Sequence, residues 1–250
     1  MSCNTNNEVV KKINARLVQD KDIFDEVLKG DKSPLSIYKA QETQNTKAPD
    51  APFSVKVGDT TLMVQSSEDP SKGFHQFRYA KFLNKQETCM MVSCVDSITQ
   101  LNKFFLIVAK GANIEAIDLY RPTDDAGKAI NNQENRIGGE ANLFNNDIVL
   151  RKSDLKVFFL KRLKETERLP GNFVLQSPDR KTLVFQQLPD KLYQVNYLSG
   201  AVSTLTVDAG RLGDSGNFHT WIRSDFTWKK DKAGNSFLKQ IDENEVVEMF

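Results

Sequence analysis

The feature that most constrains this chain is a change of rhythm near residue 50. After it, apolar residues fall in short runs rich in β-branched and aromatic side chains, and turn residues close nearly every run. The runs predict strands over 53–57, 60–65, 74–83, 88–95, 103–109, 114–120, 148–150, 155–163, 173–176, 183–188, 192–198, 201–207, 218–228, 236–241 and 245–249. The breaks carry turn chemistry: Val57-Gly58-Asp59, Asp69-Pro70, Pro170-Gly171, Ser177-Pro178-Asp179, Pro189-Asp190, Ser199-Gly200 and Ala233-Gly234-Asn235. Many short strands so spaced predict a mainly β body, an antiparallel sandwich or barrel, in one piece or as two β units. No fixed-period repeat is visible, which disfavours a propeller or solenoid.

Before the change, Val9, Val10, Ile13, Leu17 and Val18, then Ile23, Phe24, Val27 and Leu28, recur at spacings of three and four. That spacing predicts a helical N-terminal arm over residues 1–41. Asp22 suits the N-cap of a second helix ended by Gly30, and Ser33-Pro34 opens a further turn through Ile37 and Tyr38. Residues 42–52 (ETQNTKAPDAP) are nearly devoid of apolar side chains and carry two prolines, as a linker does. The β-rich body then covers 53–250. Within it, residues 122–146 are rich in Gly, Asn and Asp, which predicts a long exposed loop or an internal boundary.

The 34 basic residues nearly balance the 33 acidic ones. A dedicated nucleic-acid binder carries a basic surplus, so any basic patch here must be local. No apolar run approaches the roughly 20 residues of a membrane-spanning helix. The start of the chain lacks a basic and an apolar signal region, and no N-x-Ser/Thr acceptor occurs. Cys3, Cys89 and Cys94 are too few for a disulfide framework. Together these predict a cytoplasmic protein with reduced thiols. Cys89 and Cys94, five apart, fall on opposite faces of a strand. Neither has a histidine nearby, so no metal-ligating set is expected. The phosphate-loop and dinucleotide glycine motifs are absent, so no cofactor is expected either.

One short motif carries chemistry. Gly213-Asp214-Ser215-Gly216 resembles the nucleophile segment of chymotrypsin-like serine proteases. In that family a glycine-bracketed turn exposes the serine, and backbone N–H groups form the oxyanion hole. The resemblance implies Ser215 as nucleophile, His75 as base and Asp118 as its orienting acid, in the family's His…Asp…Ser order. The surroundings depart from that pattern: His75 lies in Gly-Phe-His-Gln-Phe, and Asn-Phe-His-Thr follows Gly216. A surface turn between two strands is the simpler expectation for these four residues.

Basic residues also gather with aromatics. Arg151, Lys152, Lys156, Lys161, Arg162, Lys164 and Arg168 accompany Phe158 and Phe159, while Arg223, Lys229, Lys230 and Lys232 accompany Trp221, Phe226 and Trp228. Such stretches could hold a single-stranded nucleic acid or an anionic surface. In half-buried strands the same alternation sends the aromatics to the core and the lysines to water. The last residues, Glu245 to Phe250, could add as a strand to a partner's sheet or form the body's own last strand. The expectation that best fits all of this is a non-catalytic interaction or assembly protein, binding a protein partner or itself. A serine hydrolase and a nucleic-acid or anionic-surface binder are the alternatives.

Overall fold

The structure is a computed structural model that describes residues 9–25, 35–36, 54–57, 60–65, 75–96, 101–110, 113–124 and 133–241. The chain forms two compact units. The first comprises Met1–Pro122 with Leu150–Val157, the second Thr123–Val149 with Phe158–Phe250. Both are mostly β, with several antiparallel sheets.

In the first unit, β1 (Val9–Asn14) runs parallel to β5 (Thr60–Gln65), and β4 (Ser54–Val57) and β3 (Leu35–Ser36) complete a sheet of order β1-β5-β4-β3. A second sheet holds a meander of β6 (His75–Phe82), β7 (Cys89–Asp96), β8 (Asn102–Lys110) and β9 (Asn113–Asp118). β2 (Arg16–Leu17) joins it parallel to β9. The chain therefore changes sheets at Ala15, between β1 and β2. Ala15, Leu35 and Val64 share one apolar cluster with Met90, Val92, Phe105 and Ile107. Cys94 lies in that cluster on the same strand face as Met90 and Val92, and Cys89 falls on the opposite face. Both thiols are free and buried, and burial pushes both well above the ordinary cysteine range.

The expected helical arm is corrected here. Residues 9–17 form strands, and Asp22 takes the Gln19 N–H and the Arg16 guanidinium in a turn instead of capping a helix. The reason is local: β-branched Val9, Val10 and Ile13 are stiff in a helix and pack well on a pleated surface. Parallel pairing with β5 then runs along all six residues of β1. Leu35–Ser36, expected in a helical turn, is strand β3. Val27, Leu28, Gly30, Ser33, Pro34, Ile37, Tyr38, the linker 42–52 and the final segment 245–249 lie outside the described residues.

The second unit begins its ordered strands with β10 (Glu134–Ile137) and β11 (Ala141–Phe144), inside the stretch expected as loop or boundary. β11 is buried along its length, and its one polar side chain, Asn142, donates to Glu134 Oε1 at 2.7 Å. β12 (Ile148–Arg151) and β13 (Lys156–Phe159) follow in the same sheet order. The connection between them, with Leu150–Val157, belongs to the first unit. There Lys21 N–H donates to Val157 O, Val157 N–H to Asp22 O, and Phe24 N–H to Leu155 O.

Next comes an antiparallel meander of β14 (Asn172–Gln176), β15 (Thr182–Gln187), β16 (Lys191–Asn196) and β17 (Val202–Thr206). Its two inner strands, β15 and β16, are covered on both faces. Leu183, Phe185, Tyr193 and Val195 pack with Ile137, Leu143, Phe158 and Leu160. The alternate residues Val184, Leu192 and Leu205 pack with Leu212, Trp221, Phe226 and Leu238. Those partners come from α1 (Ala209–Gly213), α2 (Phe218–Asp225), and the hairpin β18 (Phe226–Lys230) with β19 (Ser236–Gln240). Gln194 locks that hairpin to the meander through Leu238, donating to its carbonyl at 3.0 Å and accepting from its N–H at 2.7 Å. The strand expected over 218–228 is thus a helix followed by a strand. Phe218, Trp221 and Ile222 are its buried residues, spaced by three and four.

Candidate functional site: a free sheet edge

β17 has one hydrogen-bonded neighbour, β16, and ends the meander. Which of its backbone groups face outward follows from two contacts at its ends. Asn196 N–H donates to Ala201 O at 2.8 Å, and Val207 N–H donates to Asp190 O at 2.8 Å. Residues 201, 203, 205 and 207 therefore turn their backbone groups to β16. Those of Val202, Thr204 and Thr206 point away from the sheet, and among the described residues nothing hydrogen-bonds to them. The same three residues are exposed, with Val202 at 47%.

Such edges are ordinarily blunted by a lysine, a proline or a bulge. Here the run from Ala201 to Val207 holds no charge, no proline and no glycine, and its register with β16 is unbroken. The opposite edge strand, β14, does carry a bulge between Phe173 and Leu175. Both ends of β17 are also fixed. Asn196 Oδ1 accepts the N–H groups of Leu198 and Ser199 at 3.1 Å, which shapes the turn at Gly200 (φ +72°). Asp208 caps α1 by accepting Arg211 N–H at 2.8 Å. An extended segment of another chain would meet a preformed row of donors and acceptors.

The protease-like residues are placed differently. Gly213-Asp214-Ser215-Gly216 is exposed and links α1 to α2, not two strands. The Asp214 carboxylate accepts the N–H groups of Gly216 (3.1 Å) and Asn217 (3.3 Å) and the Asn217 side-chain amide (2.8 Å). The Asn217 side chain, with these backbone groups, holds the Asp214 carboxyl below its usual range. These backbone donors serve the turn itself. His75 and Asp118 lie in the first unit, on β6 and β9, with β7 and β8 between them. Three strand spacings, about 14 Å along the sheet, exceed a hydrogen bond between an imidazole and its orienting carboxylate. Asp118 is 2% exposed, its carbonyl accepting Val18 N–H at 3.0 Å.

The aromatics of the basic–aromatic stretches are buried or half-buried in the fold, while of the named basic residues only Arg162 is buried. Arg162 pairs with Asp147 deep in the second unit, Arg151 pairs with Asp154, Lys161 with Glu165, and Lys164 with Glu167. Phe158 packs edge-on against Tyr197 at 5.4 Å, and Trp221 meets Phe226 the same way at 5.3 Å. Among the described residues there is no group of three or more His, Cys, Asp or Glu side chains that could hold a metal ion. Nor, among them, is any helix long and apolar enough to cross a membrane.

Sequence reasoning found β17 as a strand but not as an edge. Its lack of charge is no signal of an edge, because the inner strand β15 and the stretch 192–200 are uncharged as well. No protein-family model, no curated protein and no solved structure matches the chain.

Proposed function

We propose that this chain is a non-catalytic interaction protein whose second unit accepts an extended protein segment as a fifth strand beside β17. The observation that carries the reading is the row of outward backbone groups at Val202, Thr204 and Thr206, on an edge with none of the usual blunting devices. Main-chain bonds would supply the affinity. The exposed side chains of the same residues would favour β-branched or threonine partners. The first unit, read as a β sandwich around its shared cluster, serves as scaffold, and the cytosol keeps Cys89 and Cys94 reduced.

The test uses a synthetic peptide of alternating valine and threonine, made soluble by terminal lysines. Added to the full chain, it is expected to slow amide exchange at Val202, Thr204 and Thr206 and leave Ser203 and Leu205 unchanged. Thr204→Pro, which removes the central donor, abolishes the effect. No change at these three amides at saturating peptide would overturn the reading.

A further inference from the structure

We infer that the strand added to β17 is β17 of a second copy, antiparallel to the first, with a twofold axis passing through Thr204. This rests on the reading of β17 as a strand-accepting edge and names the occupant. The outward groups are symmetric about Thr204, because Val202 and Thr206 flank it at equal spacing. Antiparallel self-pairing therefore sets Thr204 against its own mate, Val202 against Thr206 and Thr206 against Val202. Each of these pairs exchanges both of its backbone hydrogen bonds. A slip of two residues in either direction loses a pair, so the symmetric register is the longest one.

The side chains are compatible in that register. Thr204 meets threonine, a favourable cross-strand pair, and Val202 meets the β-branched Thr206 without a charge between them. Ala201 falls opposite Val207 and Ser203 opposite Leu205. The nearest charged residue beyond the strand, Asp208, falls opposite Gly200 of the other copy. No like charges face one another, although the strand's own chain supplies both sides. Such an interface is isologous, the form a twofold dimer needs. Both faces are covered over β15 and β16, and the free backbone groups of β17 lie along the sheet edge. One strand pair buries less than the roughly 1,600 Å² of a standard interface, so the dimer is weak and depends on concentration.

The experiment follows the full chain by sedimentation velocity from about 5 µM to about 500 µM, the range in which weak dimers form. Wild type is expected to shift from monomer to dimer. Thr204→Lys and Thr204→Glu, each alone, remain monomeric because like charges meet at the axis. Their equal mixture dimerises at lower concentration than wild type. Three results would overturn the inference: wild type monomeric throughout, dimers of either variant alone as strong as wild type, or a mixture no better than its components. In each case the valine–threonine peptide decides the parent reading separately. Protection at Val202, Thr204 and Thr206 leaves the edge standing with a different occupant, and its absence removes both.

Discussion

Arg162 and Asp147 form a two-pronged contact, Nε to Oδ1 at 2.9 Å and Nη2 to Oδ2 at 2.5 Å, with side chains 1% and 2% exposed. A third guanidinium nitrogen donates to Glu165 O at 2.6 Å. Two ions so buried lose their hydration, and the pair contributes little net stability beyond an apolar filling of equal volume. Breaking it is another matter, because the remaining charge keeps its burial and loses its partner. Asp147→Ala is expected to cost about 3–5 kcal/mol, read as a fall in the urea midpoint at unchanged slope. The double change Asp147→Leu with Arg162→Met should cost much less than Asp147→Ala alone. If the two variants unfold alike, the guanidinium is not sealed as described. The sequence offered Arg162 only as one member of a basic stretch. Nothing local marks it as the one turned inward, since Asp147 lies fifteen residues away in the chain.

At the scale of elements, Gly171 shows how closely β14 and β15 approach. Its φ is +91°, and a Cβ there would fall 1.9 Å from the carbonyl oxygen of Gln186. Gly171→Ala combines backbone strain with a backbone clash that no side-chain rotation relieves. Amide exchange along β14 should rise well before global unfolding, and a variant with wild-type protection there would contradict the geometry. Pro170-Gly171 was already a legible turn, as were most strand boundaries from residue 54 onward, because Gly, Pro and Asp impose their own dihedrals. The failures share a cause. Spacings of three and four at Val9 to Val18 suggested helix, yet the residues are β-branched and a parallel partner was waiting in β5. Phe218, Trp221 and Ile222 have helical spacing too, but aromatic content suggested a strand. β10 and β11 are not legible locally because Asn and Glu dominate the surrounding sequence, and their burial depends on contacts far along the chain. Edge status at β17 is likewise a property of sheet order, which no local pattern records.

At the scale of the whole molecule, the two units are not consecutive in sequence. The first is completed by Leu150–Val157, residues that follow part of the second. Backbone bonds from Lys21 and Phe24 end on Val157 and Leu155, and Ile23 bridges Lys156. Local patterns predicted a strand over 155–163 but carried no sign of which unit its first residues would serve. Proteolysis of ribosome-arrested chains should show the first unit gaining full resistance only after Val157 has emerged. Resistance already complete when Pro122 emerges would mean the late segment is dispensable.

That arrangement gives the protein a clock. A chain made from its N-terminus reaches Pro122 with the first unit lacking its last backbone partners, and 35 further residues separate that point from Val157. At about 5–20 residues per second, the first unit waits roughly two to seven seconds for its closing piece. Strands β1 to β9 are all synthesised by then, with Lys21, Asp22 and Phe24 still presenting unpaired backbone groups to water. Any factor that guards nascent chains has its window during that interval, and a slow codon between 122 and 157 lengthens it.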